Sequence, residues 1–458
     1  MTKILSIALV SLRAAVRSRL VGSLVAVLLV AIVGLGLSVK GDGTLSGQMR
    51  ILLCYTLGLS TLLLGIATLW TACGGISEEI KDKHIQLLVV KPVHRSQIWL
   101  GKWLALVLLN AALLALAGIA VYAVLQVKVR AAGAAPADRL ALYEEILTAR
   151  RSLSPRAEPV DDEVRKRLAL MEQQHAISDR TSRREVYVSL EKRVRAERST
   201  VPPGGAKQWI FDIPRGFAQG PNAACSLRVR LYPVSRSMTP LKGRWTVGRP
   251  GDPPSFSHSM EARLESAYCF TVPPSAFRSG QPAVVQFEND EGRESRTLVL
   301  DPEQNVELLS KESSFEMNLV RALLILLGHL SLLAALGLAA STVFSFPVAT
   351  FVAAAIMIVS LFGHYMAATA GTPKHEHEHD ESAQPSLLTV VSERIMERLV
   401  VVIEPVVRTD PLDPLSDGVL VSWSFTGQAA VILFVAYPAV LFLVGAYCLK
   451  RRELALPD

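Results

Sequence analysis

The chain has 458 residues, of which 50% are hydrophobic and only 19% charged, and its mean hydropathy is +0.33. That balance disfavours an ordinary soluble globular protein, because too little polar surface is available to cover the apolar residues. The formal net charge of +7 says little about nucleic acid, since much of it sits beside apolar runs, where anionic lipid headgroups are the natural partner.

The amino-terminal segment ILSIALVSLRAAVRSRL mixes apolar residues with Arg13 and Arg17, the pattern of an interfacial helix on the inner leaflet. The competing reading is a plain extension of the first span. Six apolar runs then cover Leu20–Val39, Ile51–Ala72, Trp103–Leu125, Leu319–Ala340, Ala349–Ala370 and Ala429–Leu449. Each reaches or approaches the roughly 20 residues that a helix needs to cross about 30 Å of hydrocarbon. The first is longer than the roughly 7–15 residues of a signal-peptide core, so it reads as a retained helix.

Between the second and third runs lies ISEEIKDKHIQLLVVKPVHRSQIWLGK, residues 76–102, too charged to remain in lipid. Lys81, Lys83, Lys91, Arg95 and Lys102 place it on the cytoplasmic side by the positive-inside rule. Its first half is expected to form a short amphipathic helix, with Ile76, Ile80, Leu87 and Leu88 near one face. Pro92 would end that helix, having no amide hydrogen to donate. Lys3, Arg13, Arg17 and Arg19 at one end of the chain, and Lys450, Arg451 and Arg452 at the other, put both termini in the cytoplasm.

Counting crossings puts residues 128–315 outside the cytoplasm, long enough to bury a core of their own. Residues 137–200 carry helical spacing in Leu140, Tyr143 and Leu147, in Val164, Leu168 and Met171, and in Val186, Leu190 and Val194. A hairpin of two or three helices is expected, broken at Pro155 and Pro159, with Asp161–Glu163 opening a helix. Over 206–310 the period becomes two, with strands expected in WIFDI, SLRVRLYPV, RWTVG, MEARLESAYCF, AVVQFEN and RTLVL. Short strands at this spacing suggest an antiparallel β-sandwich. The expected fold is an α-helical polytopic membrane protein with six transmembrane helices and an inserted α+β extracytoplasmic domain. Its parts are an amino-terminal membrane half (1–127), the insertion (128–315) and a carboxyl-terminal membrane half (316–458) with an outer loop at 371–424.

Cys225 and Cys269 both fall on expected strands outside the cytoplasm, where a disulfide between them and two free thiols are equal alternatives. The tract KHEHEHDE offers His375, His377 and His379 as ligands for Zn, Ni or Cu, but with no structured frame it reads as a solvated loop rather than a metal site. Asn110, His329 and His364 are polar groups within apolar runs; Asn110 and His329 suit either a pathway lining or a helix–helix hydrogen bond. Arg321, near the outer end of its helix, is expected to snorkel to headgroups. No GxxxxGK[ST], GxSxG or HExxH motif occurs, so the chain reads as neither a nucleotide hydrolase nor another enzyme, and no cofactor is expected.

In this order the parts resemble a permease subunit of the ABC-2 type family of ABC transporters. The resemblance rests on the basic amino-terminal segment and on Glu78-Glu79, Pro92, Arg95 and Leu100-Gly101-Lys102 of the intracellular stretch. It rests also on IEPVVRTDPLDPLSDGVLVSW before the last run and on the closing Lys450-Arg451-Arg452-Glu453-Leu454. Such a resemblance implies an exporter in the cell's inner membrane, with a second permease (a like copy or a paralogue) and separate ABC ATPase chains as partners. Glu78, Glu79 and Arg95 would then be the docking contacts to the ATPase. The alternative is a membrane-anchored sensor or scaffold whose outer domain binds a ligand or an envelope partner.

Overall fold

The computed structural model describes residues 2–38, 45–81, 94–131, 142–156, 159–173, 183–217, 225–230, 232–233, 241–262, 268–277, 280–290, 297–300, 305–361 and 404–451. They form two compact units, one of Met1–Ala149 with Ser313–Asp458 and one of Arg150–Glu312. Helix α1 (Thr2–Arg17) ends at Ser18, whose hydroxyl bonds Ala15 O at 2.6 Å and breaks the run before α2 (Arg19–Ser38). Two helices of 37 residues follow, α3 (Leu45–Lys81) and α4 (Arg95–Ala131). The hydroxyls of Thr56, Ser60, Thr68 and Ser77 in α3 each donate to the carbonyl four residues back, which lets a spanning helix carry them without loose donors. Of the helix expected from Ile76, residues 76–81 are the continuous end of α3, and Leu87 and Leu88 lie outside the described residues. Pro92 lies outside the described residues.

The chain then approaches the inserted unit, which begins at Arg150. Leu142–Glu145 makes one helical turn, and β1 (Thr148–Leu153) replaces the first helix expected from Leu140, Tyr143 and Leu147. The physical reason is pairing: β1 hydrogen-bonds to β11 (Val306–Ser314) at one edge of a sheet, and that ladder overrides the local helical spacing. Helices α5 (Asp161–Gln173) and α6 (Arg183–Ser199) form the expected hairpin, packed through Val164, Leu168, Leu190 and Val194. The acids of the first α5 turn face the favourable end of its dipole.

Among the described residues eight shorter strands follow the hairpin in turn: β2 (Thr200–Val201), β3 (Ala206–Asp212), β4 (Cys225–Val229), β5 (Tyr232–Pro233), β6 (Leu241–Gly248), β7 (Phe256–Ala262), β8 (Tyr268–Val272) and β9 (Pro282–Asn289). A further short strand, β10 (Leu298–Val299), joins β2 and β5 in a small sheet. The larger sheets run β1-β11-β4-β8 and β3-β9-β6-β7. Alternate residues of both enter one core that includes Trp209, Phe211, Leu227, Trp245, Phe270, Val285 and Phe287. The expected strand MEARLESAYCF is two strands, β7 and β8, at the edges of different sheets. Within the second sheet Trp245 lies opposite Phe287, with ring centroids 4.7 Å apart.

All five cysteines are free, so Cys225 and Cys269 form no disulfide. The register explains it. Cys225 lies opposite Val272 and Cys269 opposite Arg228. Three residues of offset on a period of two sends the thiols to opposite faces of the sheet.

Back in the membrane unit, α7 (Phe315–Val343) begins at its cap Ser314, and α8 (Phe346–Leu361) opens on Phe346-Pro347. The short α9 (Leu412–Ser416) precedes α10 (Trp423–Ala430), which continues through a π-helical stretch, Val431–Ala436, into α11 (Tyr437–Arg451). Among the described residues five helical spans are long and apolar enough to cross a membrane: Val21–Ser38, Leu45–Ser77, Ser96–Arg130, Phe315–Val343 and Trp423–Arg451. The chain is thus a mostly helical polytopic membrane protein with a β-sheet region. The remaining expected span is represented by α8, a shorter apolar helix, and the rest of its run lies outside the described residues.

Candidate functional site

At the end of the bundle that holds Ile76 and Leu449, four helices meet in one apolar cluster with Ala72, Trp99, Leu106, Ala335 and Leu338. Glycine makes the meeting close. A methyl on Gly337 would stand 2.6 Å from the Ala72 methyl, and one on Gly445 would stand 2.9 Å from the Trp99 indole nitrogen. Trp99 is fully buried and meets Phe442 edge-on, with centroids 5.3 Å apart. Two polar bonds cross the same junction: Lys102 Nζ donates to Gly75 O at 2.8 Å, and Trp103 Nε1 donates to Ser331 O at 3.1 Å. The last turns of α3 and the first turns of α4 are therefore tied to each other, to α7 and to α11. Glu78 and Glu79 stand in the last turns of α3, and Arg95 is the first residue of α4. Sequence reasoning did not single out Trp99 and Trp103, whose i,i+4 spacing on α4 was the available signal.

A second polar arrangement runs along α7 beneath residues 404–422. Asn318 is fully buried and brackets that segment's backbone: Nδ2 donates to Val419 O, and Val421 N donates to Oδ1, both at 2.8 Å. Further along, the His329 ring nitrogens lie 3.1 Å from Ile325 O and 3.3 Å from Val406 O, with the Thr409 hydroxyl also 3.3 Å from Nε2. Asn318 and His329 are eleven positions apart, which on an α-helix brings them to about the same face. His329 thus engages the segment rather than standing bare on a pathway. Asn110 likewise meets a partner, its side-chain amide oxygen lying 2.9 Å from Thr68 Oγ1 across α3 and α4.

The segment is also held from α3 and from the turn before β1. Arg50 pairs with Asp417 at 2.6 Å, the carboxylate being largely buried. Gly418 adopts φ +65°, and a methyl there would lie 2.1 Å from Glu145 O. Arg321, expected to snorkel outward, is instead buried: Nη1 donates to Val421 O at 3.2 Å and the guanidinium carbon lies 4.8 Å from the Trp423 ring centroid. The helix face that contains it is covered by residues 421–423, which its sequence position does not reveal.

In the inserted unit, burial pushes the Cys225 thiol up to about 11. Burial lowers His258, whose Nε2 lies 2.8 Å from Tyr268 Oη, and raises that Tyr268 hydroxyl. Arg198 and Arg167 hydrogen-bond Glu163 and lower its carboxyl. Glu163 braces the hairpin, and the His258–Tyr268 contact joins the edge strands β7 and β8 of the two larger sheets. No cluster of three or more metal-ligating side chains occurs among the described residues, and His364 together with His375, His377 and His379 lies outside them. No protein-family model, curated protein or solved structure matches the chain.

Proposed function

We propose that the chain is the permease subunit of an ATP-driven ABC-2 type exporter, working with a separate ATPase and a second permease in the cell's inner membrane, both termini cytoplasmic. The observation that carries this reading is the tied end of α3 and α4. Each helix of 37 residues is about 55 Å long, well beyond the roughly 30 Å hydrocarbon layer. The facing ends of α3 and α4 are tied to each other by Lys102, and α4 is tied to α7 by Trp103 and to α11 by Trp99. A push delivered at Glu78, Glu79 or Arg95 is passed to the bundle as rigid-body motion, because packed interiors do not yield gradually. No binding site for fuel is expected in this chain, so an ATPase must supply the push.

The test is purification from mild detergent, followed by identification of bound proteins, for the natural chain and for the Glu78→Lys, Glu79→Lys double variant. Recovery of an ATPase with the natural chain, and loss of transport-coupled ATP hydrolysis in the variant, is expected. Coupled hydrolysis that survives the double change would sink the docking role. The sensor or scaffold reading draws on the separate core of Arg150–Glu312. It predicts a soluble ligand or envelope protein in the purified complex and no ATPase.

A further inference from the structure

Arg321 is a buried charged side chain of the spanning bundle whose donors are largely unmet among the described residues. It is 7% exposed, its five N–H donors meet one carbonyl and one indole face, and Nε has no partner. No carboxylate among the described residues pairs with it. A buried guanidinium without an anion is costly, whereas one fork-bonded to an oxyanion is not.

Its position says which anion. At 100° per residue, Met317, Val320 and Leu324 lie within about 100° to one side of Arg321 on α7. These three are 44%, 48% and 41% exposed. Asn318, Ile325 and His329 lie within about 80° to the other side, under residues 404–422. Arg321 thus stands where the covered seam meets an apolar stripe open to lipid, with Trp423, 56% exposed, beside it. It is also six residues into α7, about 9 Å from the helix start and near the polar edge of the hydrocarbon. An aromatic ring, a guanidinium and an adjoining apolar track at that depth suit a headgroup with its chains.

We propose that Arg321 binds a phosphate oxyanion supplied by a phospholipid headgroup, whose chains lie along Met317, Val320 and Leu324. The site is independent of the transport reading and requires only that the bundle sit in a bilayer.

The test uses the full-length protein, delipidated in detergent and supplied with phosphatidylglycerol, with diacylglycerol of the same chains, or with inorganic phosphate alone. Binding is read by native mass spectrometry and by the thermal unfolding midpoint. Phosphatidylglycerol is expected to bind the natural chain at least tenfold more tightly than diacylglycerol and to raise its midpoint. Arg321→Gln should lose that preference at least tenfold. Equal retention of the two lipids by the natural chain would overturn the proposal without recourse to any variant. Undiminished phosphatidylglycerol binding by Arg321→Gln would do the same. Protection by inorganic phosphate as strong as by phosphatidylglycerol would overturn the lipid as the source.

Discussion

Gly418→Ala is the smallest change that tests how firmly residues 404–422 are seated. The backbone at Gly418 has φ +65°, where an L-residue costs about 1–2 kcal/mol. The new methyl would also stand 2.1 Å from Glu145 O and 3.0 Å from that carbonyl carbon, so backbone rather than a yielding side-chain tip must retreat. Overpacking of that kind adds about 1–3 kcal/mol, for a total of about 2–5 kcal/mol. Gly216→Ala separates the two effects, because φ there is +89° and nothing lies within 4 Å of the added methyl. Hydrogen exchange is the assay. The amides of Leu415, Asp417 and Val419 donate to Pro411, Asp413 and Pro414 carbonyls, and each reports opening of the segment. A loss of 2 kcal/mol should speed their exchange about 30-fold in Gly418→Ala. Gly216→Ala should leave those amides at their natural rate and loosen only its own turn. Unchanged exchange at Leu415–Val419 in Gly418→Ala would refute the close approach to Glu145.

Other expectations are equally direct. Trp99→Ala empties a fully buried site at the four-helix junction and should cost about 3–5 kcal/mol, read as a lowered unfolding midpoint in detergent. Alkylation in denaturant without reductant should add five groups per chain, and addition of three would restore the Cys225–Cys269 bridge. His258 has its folded value below its unfolded 6.5, so the unfolded chain binds more protons between the two values, and stability falls as pH drops through that window. Tryptophan-monitored melting between pH 7 and 5 should show that fall, and His258→Phe should flatten it.

Membrane spans were legible because length and apolarity are the whole requirement, and α2, α4, α7 and the last span met it. The end of α3 was not, because SEEIK reads equally well as a charged loop and as a helix leaving the lipid. Strands such as β3 and β9 announced themselves through alternation around Trp209 and Phe287. By contrast TARRSL has little alternation, and β1 exists because β11, far along the chain, pairs with it. Polarity at depth drew attention to Asn110 and His329 in sequence. Asn318 escaped notice because an Asn in a helix's first turns is unremarkable on its own, and only its spacing from His329 marks the face. The cover over Arg321 and the state of the cysteine pair are not legible for one reason: which face is covered, and which register a strand takes, are decided by partners distant in sequence.

Because β1 and β11 are hydrogen-bonded neighbours, the inserted polypeptide departs and returns through adjacent strands, about 5 Å apart. An excursion of that form behaves as a cassette. It can be acquired, exchanged or deleted over evolutionary time by joining two nearby ends, leaving the helices around it no gap to close.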